Sequence, residues 1–204
     1  MGPDEPAAVR KTLCGTVCVS AQNDRMSKPV TVVPAAASWS VGPEAYDSSV
    51  ALALWRAYYT EVSDRWYLLN EGRVTDPEEL EREIAAETGT DLAPPDGVLL
   101  VARYGDEPVG TAGVRLLDAA TAELKRVFVR EDLRGKGGAP VLLAAAEDAA
   151  RALGAERIVL DTRTDLVEAR ALYARHGYEE TEPLTVRPYA EHWFAKKLTG
   201  DASG

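Results

Sequence analysis

Cysteine is almost absent. The chain has two, Cys14 and Cys18, among 204 residues, with no histidine close to either. Two thiols make no disulfide framework, and a structural zinc site needs four ligands. Long apolar runs are missing as well: none reaches the about 18 residues that read as a membrane span. The opening MGPDEPAAVRK has no apolar stretch long enough for a secretory signal, so the cytoplasm is the expected location. Positive charge is short, with 23 Lys and Arg against 33 Asp and Glu, a net charge of −10. That argues against general nucleic-acid binding, which needs a basic face. It suits a cationic partner such as an amine, or merely a soluble surface. There is no internal repeat and no low-complexity tract, and the length suits one domain of moderate size.

What is present is a mixed pattern of strands and helices. Residues 1–29 show no clean period and are expected to form a mobile tail, residues 30–200 one domain, and residues 201–204 a short tail. A short strand is expected near Val30–Val33. Ser48 to Tyr59 has helical spacing, with Val50, Leu52, Leu54, Trp55, Tyr58 and Tyr59 on one side, continuing loosely to Val62 and Trp66. A second helix should start at Thr75-Asp76-Pro77-Glu78-Glu79 and run to about Ala86. A cap, a first-turn proline and two acids at the positive end of the helix dipole all coincide there. VLLVARYGDEPVGTAGVRLLD reads as two strands around Gly105-Asp106, and AELKRVFV as a third in an antiparallel meander. Pro140 to Leu153 is a long helix, with Leu142, Ala145, Ala146, Ala149, Ala152 and Leu153 as its apolar face. ERIVLDT, a helix from Asp165 to His176, and the strands GYEETEPL and EHWFAKKL complete the chain. The expected class is α/β: a mixed sheet whose meander leads into a βαβ unit with parallel central strands.

The chemistry concentrates between Leu124 and Ala139, where five basic residues meet two acidic ones in an acidic protein. Gly135, Gly137, Gly138 and Ala139 then open the long helix. First-turn amides lack intrahelical partners, and glycine lets an anion approach them without a Cβ in the way. Pro140 gives up an amide that would be unpaired anyway. Arg134 and Lys136 add formal charge. A phosphate or pyrophosphate is the expected ligand. A P-loop is excluded because no Gly-Lys-Ser/Thr follows, and a dinucleotide fingerprint because the third glycine is missing.

Arg134-x-x-Gly137-x-Ala139 resembles the Arg/Gln-x-x-Gly-x-Gly/Ala motif of the GNAT superfamily, the acetyl-coenzyme A-dependent N-acetyltransferases. LKRVFVREDLRGKGGAPVLL looks like that superfamily's fourth strand, loop and third helix. ARALYARHGY looks like its fourth helix, and HWFAKKL resembles its closing strand. The likeness covers about Val30 to Leu198. Two departures stand out. Gly138 replaces the usual aliphatic residue, which implies a looser loop, and Leu166 replaces an asparagine that contacts the cofactor in many members.

The resemblance implies that the pyrophosphate of coenzyme A binds the amides of Arg134, Gly135, Lys136, Gly137, Gly138 and Ala139. The pantetheine arm would run along Val127, Phe128 and Val129, with the Val127 amide on the thioester carbonyl. Tyr173 matches the family's frequent general acid; the alternative is a helix tyrosine packed on the sheet. Glu123 matches a glutamate base in the histone-acetyltransferase branch; the alternatives are a solvated strand glutamate, or water as the base. Tyr58, Glu61 and His192 fall in segments that wall the acceptor pocket of such a fold, and Asp64 lies near them. His176 reads as structural, in a last helical turn that favours positive charge. The implied activity is transfer of an acetyl group from acetyl-CoA to a small primary amine within a ternary complex. A peptide acceptor, or an acyl-CoA sensor without turnover, are the alternatives. No metal, nucleic acid or membrane is implied, and a homodimer is compatible.

Overall fold

The computed structural model describes residues 37–185 and 187–198. The strand expected at Val30–Val33, both cysteines and the two expected tails lie outside the described residues. In chain order come β1 (Trp39–Glu44), α1 (Ser49–Glu71), α2 (Pro77–Ala86), β2 (Gly97–Tyr104), β3 (Glu107–Leu116) and β4 (Thr121–Val129). They are followed by α3 (Gly138–Ala152), β5 (Arg157–Thr162), α4 (Val167–Arg175), β6 (Glu179–Thr181) and β7 (His192–Lys197).

Local signals explain the helices. Ser48 caps α1, its hydroxyl accepting from the Ala51 amide at 3.0 Å, and Gly72 at φ 69° stops it. Asp76 accepts from the amides of Glu78 and Glu79 to start α2, with Pro77 in the first position. Each such cap stabilises a helix by about 1 kcal/mol. α1 runs 12 residues beyond Tyr59. Its buried face holds Ala51, Leu54 and Trp55, whereas Leu52 is 52% exposed, a correction to the expected stripe.

The seven strands form one sheet in the order β1-β2-β3-β4-β5-β7-β6. β4 and β5 run parallel and the other neighbours antiparallel, so the expected mixed class holds. The first described strand is WSVGPE, a segment whose Gly and Pro hide its period; it registers from Trp39↔Tyr104 to Glu44↔Leu99. Alternation along β2 divides the core. Leu100 and Ala102 join the cluster around α3, while Leu99 and Val101 pack with residues of α1. α3 buries Leu142, Leu143, Ala146, Glu147 and Ala150. That stripe is rotated from the expected one and includes a carboxylate, Glu147, which Lys196 of β7 pairs at 2.7 Å.

Two irregularities shape the centre of the sheet. Between the pairs Thr111↔Phe128 and Gly113↔Lys125, β4 carries one residue more than β3. This bulge places Arg126 at φ 55°, a conformation strained for a non-glycine residue. Its guanidinium is held 3.9 Å from the Trp55 ring centroid and pairs with Glu87 at 3.0 Å. β4 and β5 pair only over Thr121↔Arg157, Ala122↔Ile158 and Glu123↔Val159. Beyond Glu123 the two strands part.

Candidate functional site

The parting of β4 from β5 opens a cleft of about 940 Å³. Its lining includes every β4 residue from Leu124 to Val129, with Asp161, Thr162 and Arg163 opposite. β4 remains paired to β3 at Phe128 and Val129, so its other backbone edge is the one left without a neighbouring strand. The cleft continues to the start of α3, where Gly135, Gly137, Gly138 and Ala139 line it.

This loop has the features of an anion cradle. Gly135 and Gly137 take φ of 75° and 85°, and a Cβ added at either would meet nothing within 4 Å. Gly137 caps α3 without a side-chain hydrogen bond, so the first-turn amides gain no side-chain cap. These residues fit the pyrophosphate of an acyl-coenzyme A. Arg134 sits at the cradle rim, with Nε donating to the Val129 carbonyl at 2.8 Å and Nη2 2.6 Å from Glu61. The Lys136 side chain is exposed and is not part of the lining, while its carbonyl accepts from Trp39.

Tyr173 lies in the same cleft and is 5% exposed. Burial pushes its phenol well above the usual tyrosine range, with Tyr58 and Asp161 adding to the effect. Tyr58 lines the cleft against Phe128, with ring centroids 6.1 Å apart. Asp161 was not anticipated. It is the polar break in the apolar run IVLDT, and burial raises its carboxyl above the ordinary range although Arg187 is 3.2 Å away.

Glu123 does not line this cleft. It is 1% exposed, at the last paired position before the strands part, and is bound by Arg115 at 2.6 Å and by Arg187. The solvated-glutamate alternative is therefore corrected. His192 is likewise outside the lining and is held by Glu180 and Thr164. Asp64 accepts from the Thr75 amide at 2.9 Å. His176 ends α4 and borders the cleft.

The far wall is aromatic. Trp66 meets Tyr67 edge-on at 4.9 Å and Tyr189 edge-on at 5.6 Å, and Tyr59 stands on the same wall. Glu79 and Glu83 lie beside them. Burial raises the Tyr59 hydroxyl to about 12, with Glu83 and other neighbours adding to the rise. Glu79 accepts from the Tyr67 hydroxyl and pairs with no cation among the described residues.

A mixed seven-stranded sheet that forks between its parallel strands, with a glycine cradle at the following helix, defines an acyl-CoA N-acyltransferase fold. The sequence profile of the Acetyltransferase (GNAT) family matches residues 54–178, more than half of the chain, and the chain belongs to that family. It is 34% identical over 94 residues to an IAA acetyltransferase of Azospirillum brasilense, covering 46% of this chain and 61% of that one. An uncharacterized N-acetyltransferase of Escherichia coli is 35% identical over 85 residues, 40% of this chain and 51% of the other. The chain thus spans less than two thirds of the length of these curated relatives. The PaiA N-acetyltransferase of Thermoplasma acidophilum, solved in complex with coenzyme A, shares the fold, with a TM-score of 0.60 and 15% identity. That match covers 78% of this chain and 99% of the other.

Proposed function

We propose that this protein moves an acetyl group from acetyl-CoA to the primary amine of a small molecule, by direct transfer with both substrates bound. The observation that carries this reading is the single cleft joining three parts. They are the glycine cradle, the free edge of β4 from Val127 to Val129, and the buried phenol of Tyr173. Bound acetyl-CoA supplies an activated thioester; everything else falls to the chain's own residues.

The cradle amides bind the pyrophosphate, and Arg134 adds charge at the rim. The β4 edge orients the pantetheine arm, with the Val127 amide as the donor toward the thioester oxygen. Tyr173, kept protonated by burial, holds a proton for the departing sulfur. Asp161, rather than Glu123, which lies outside the cleft between two arginines, is the cleft carboxyl suited to accept the ammonium proton, directly or through water. The aromatic wall with Glu79 and Glu83 favours a cationic amine, since ring faces and carboxylates both attract one.

A panel of small amines and of peptides with free N-termini or lysines, assayed by release of free thiol from acetyl-CoA, tests the reading. Turnover with small cationic amines is the expected result. Turnover on peptides alone would move the acceptor to protein, and binding of acetyl-CoA without thiol release would make this a sensor.

A further inference from the structure

Gly138 departs from the family's loop motif, and the residue that answers it lies 99 positions earlier, on the edge strand β1. Trp39 donates its indole N–H to the Lys136 carbonyl at 2.7 Å. Its ring also occupies the space a side chain at position 138 would fill: a Cβ there would come within 2.4 Å of the indole. Behind it stands Tyr104, with centroids 5.1 Å apart, on the β2 residue that pairs with Trp39 in the sheet. The indole is therefore clamped between the sheet and the cradle, and the expected looser loop is corrected.

The hydrogen bond acts on the cradle itself. The Lys136 carbonyl and the Gly137 amide belong to one planar trans peptide, so they point in opposite directions. A glycine at φ 85° with open space around it does little to resist rotation of that peptide. Rotated the other way, the unit would present a carbonyl oxygen to an anion.

We propose that Trp39 is a positioning residue for pyrophosphate, a role that rests on the acetyl-CoA reading above. Its indole N–H holds the Lys136 carbonyl away from the cradle so that the Gly137 amide faces in, and its ring fills the place left by Gly138.

Trp39→Phe keeps an aromatic ring and removes the donor. Calorimetry with coenzyme A, set beside the KM for acetyl-pantetheine, which lacks the pyrophosphate, tests the role. Loss of one such hydrogen bond should weaken coenzyme A about fivefold to tenfold. Acetyl-pantetheine should be used as well as before, and with acetyl-CoA the loss should fall on KM rather than kcat. Equal affinity of both proteins for coenzyme A, or a parallel loss for both ligands, overturns the role. Gly138→Ala, which drives a methyl into the indole, should give the same split and serves where Trp39→Phe fails to fold. Failure of the wild-type protein to bind coenzyme A at all would remove the acetyl-CoA reading first, and this role with it.

Discussion

Tyr173 and Asp161 share one cause, burial in the cleft, yet it pushes them toward different tasks. Desolvation disfavours the charged form of either group. For a phenol this means the proton is retained across the working range, so the donor form is always present, while its transfer depends on contact with the departing sulfur. For a carboxyl it means a stronger affinity for protons than an ordinary aspartate has, as an acceptor requires. The signs follow. If Asp161 takes the proton, the rate rises as pH rises through its elevated pKa, while Tyr173 imposes no falling limb up to about pH 10. Raised in the fold above its unfolded value, Asp161 contributes stability below that unfolded value. This is lost as pH rises through the folded one. Tyr173→Phe should lower kcat by about 100- to 10,000-fold with little change in acetyl-CoA affinity. Asp161→Asn should remove the rising limb. Unchanged turnover in Tyr173→Phe would reduce the tyrosine to packing against Tyr178 and Phe194, its ring neighbours at 5.7 and 6.0 Å.

At the level of elements, the fork between β4 and β5 is the feature on which the cleft depends, and Glu123 is its knot. Arg115 reaches it from β3, and Arg187, from the segment before β7, binds both Glu123 and Asp161 of β5. Glu123→Gln should therefore cost about 1–3 kcal/mol in urea unfolding while leaving the pH–rate profile in place. A flattened rising limb with full stability would instead return the base to Glu123. The family resemblance implied a base at this residue and the strand pattern a solvated position; neither shows its arginines, which lie 8 and 64 residues away. The same physics divides the rest of the fold. α2 was legible because Asp76, Pro77, Glu78 and Glu79 make their contacts within one turn. The cradle was legible because helix starts are local. β1 was not, because a six-residue edge strand containing Gly42 and Pro43 is set by its register with β2. Nor was the answer to Gly138, which lies on β1. Glu61, expected on the acceptor wall, lines the cleft and also faces Arg134 from α1, a pairing that helical spacing cannot show.

Across the whole molecule, a chain of net charge −10 is expected to hold a polyanionic cosubstrate, and only local geometry overcomes that repulsion. At about 0.1 M salt, charges more than about 10 Å apart are largely screened, so the field at the cradle is set by its own amides, by Arg134 and by the Glu61 carboxylate paired with it. Binding there should then be felt by the entire fold. The cleft touches α1, α2, β4, the start of α3, β5 and α4, so its occupant links elements from both faces of the sheet. Acetyl-CoA at a hundred times its Kd should add about 2.7 kcal/mol to unfolding, raising Tm by roughly 5–10 °C for a domain of this size. Gly137→Trp should abolish that rise. The position points into open space, so bulk there meets no packed neighbour and obstructs the cradle, although φ 85° adds strain to any side chain. The comparison that decides is between two differences: the variant's own Tm falls modestly without ligand, and the ligand-induced increment vanishes. An increment that survives in Gly137→Trp would place acetyl-CoA elsewhere. No increment in the wild-type protein at millimolar ligand would remove acetyl-CoA from this cleft altogether.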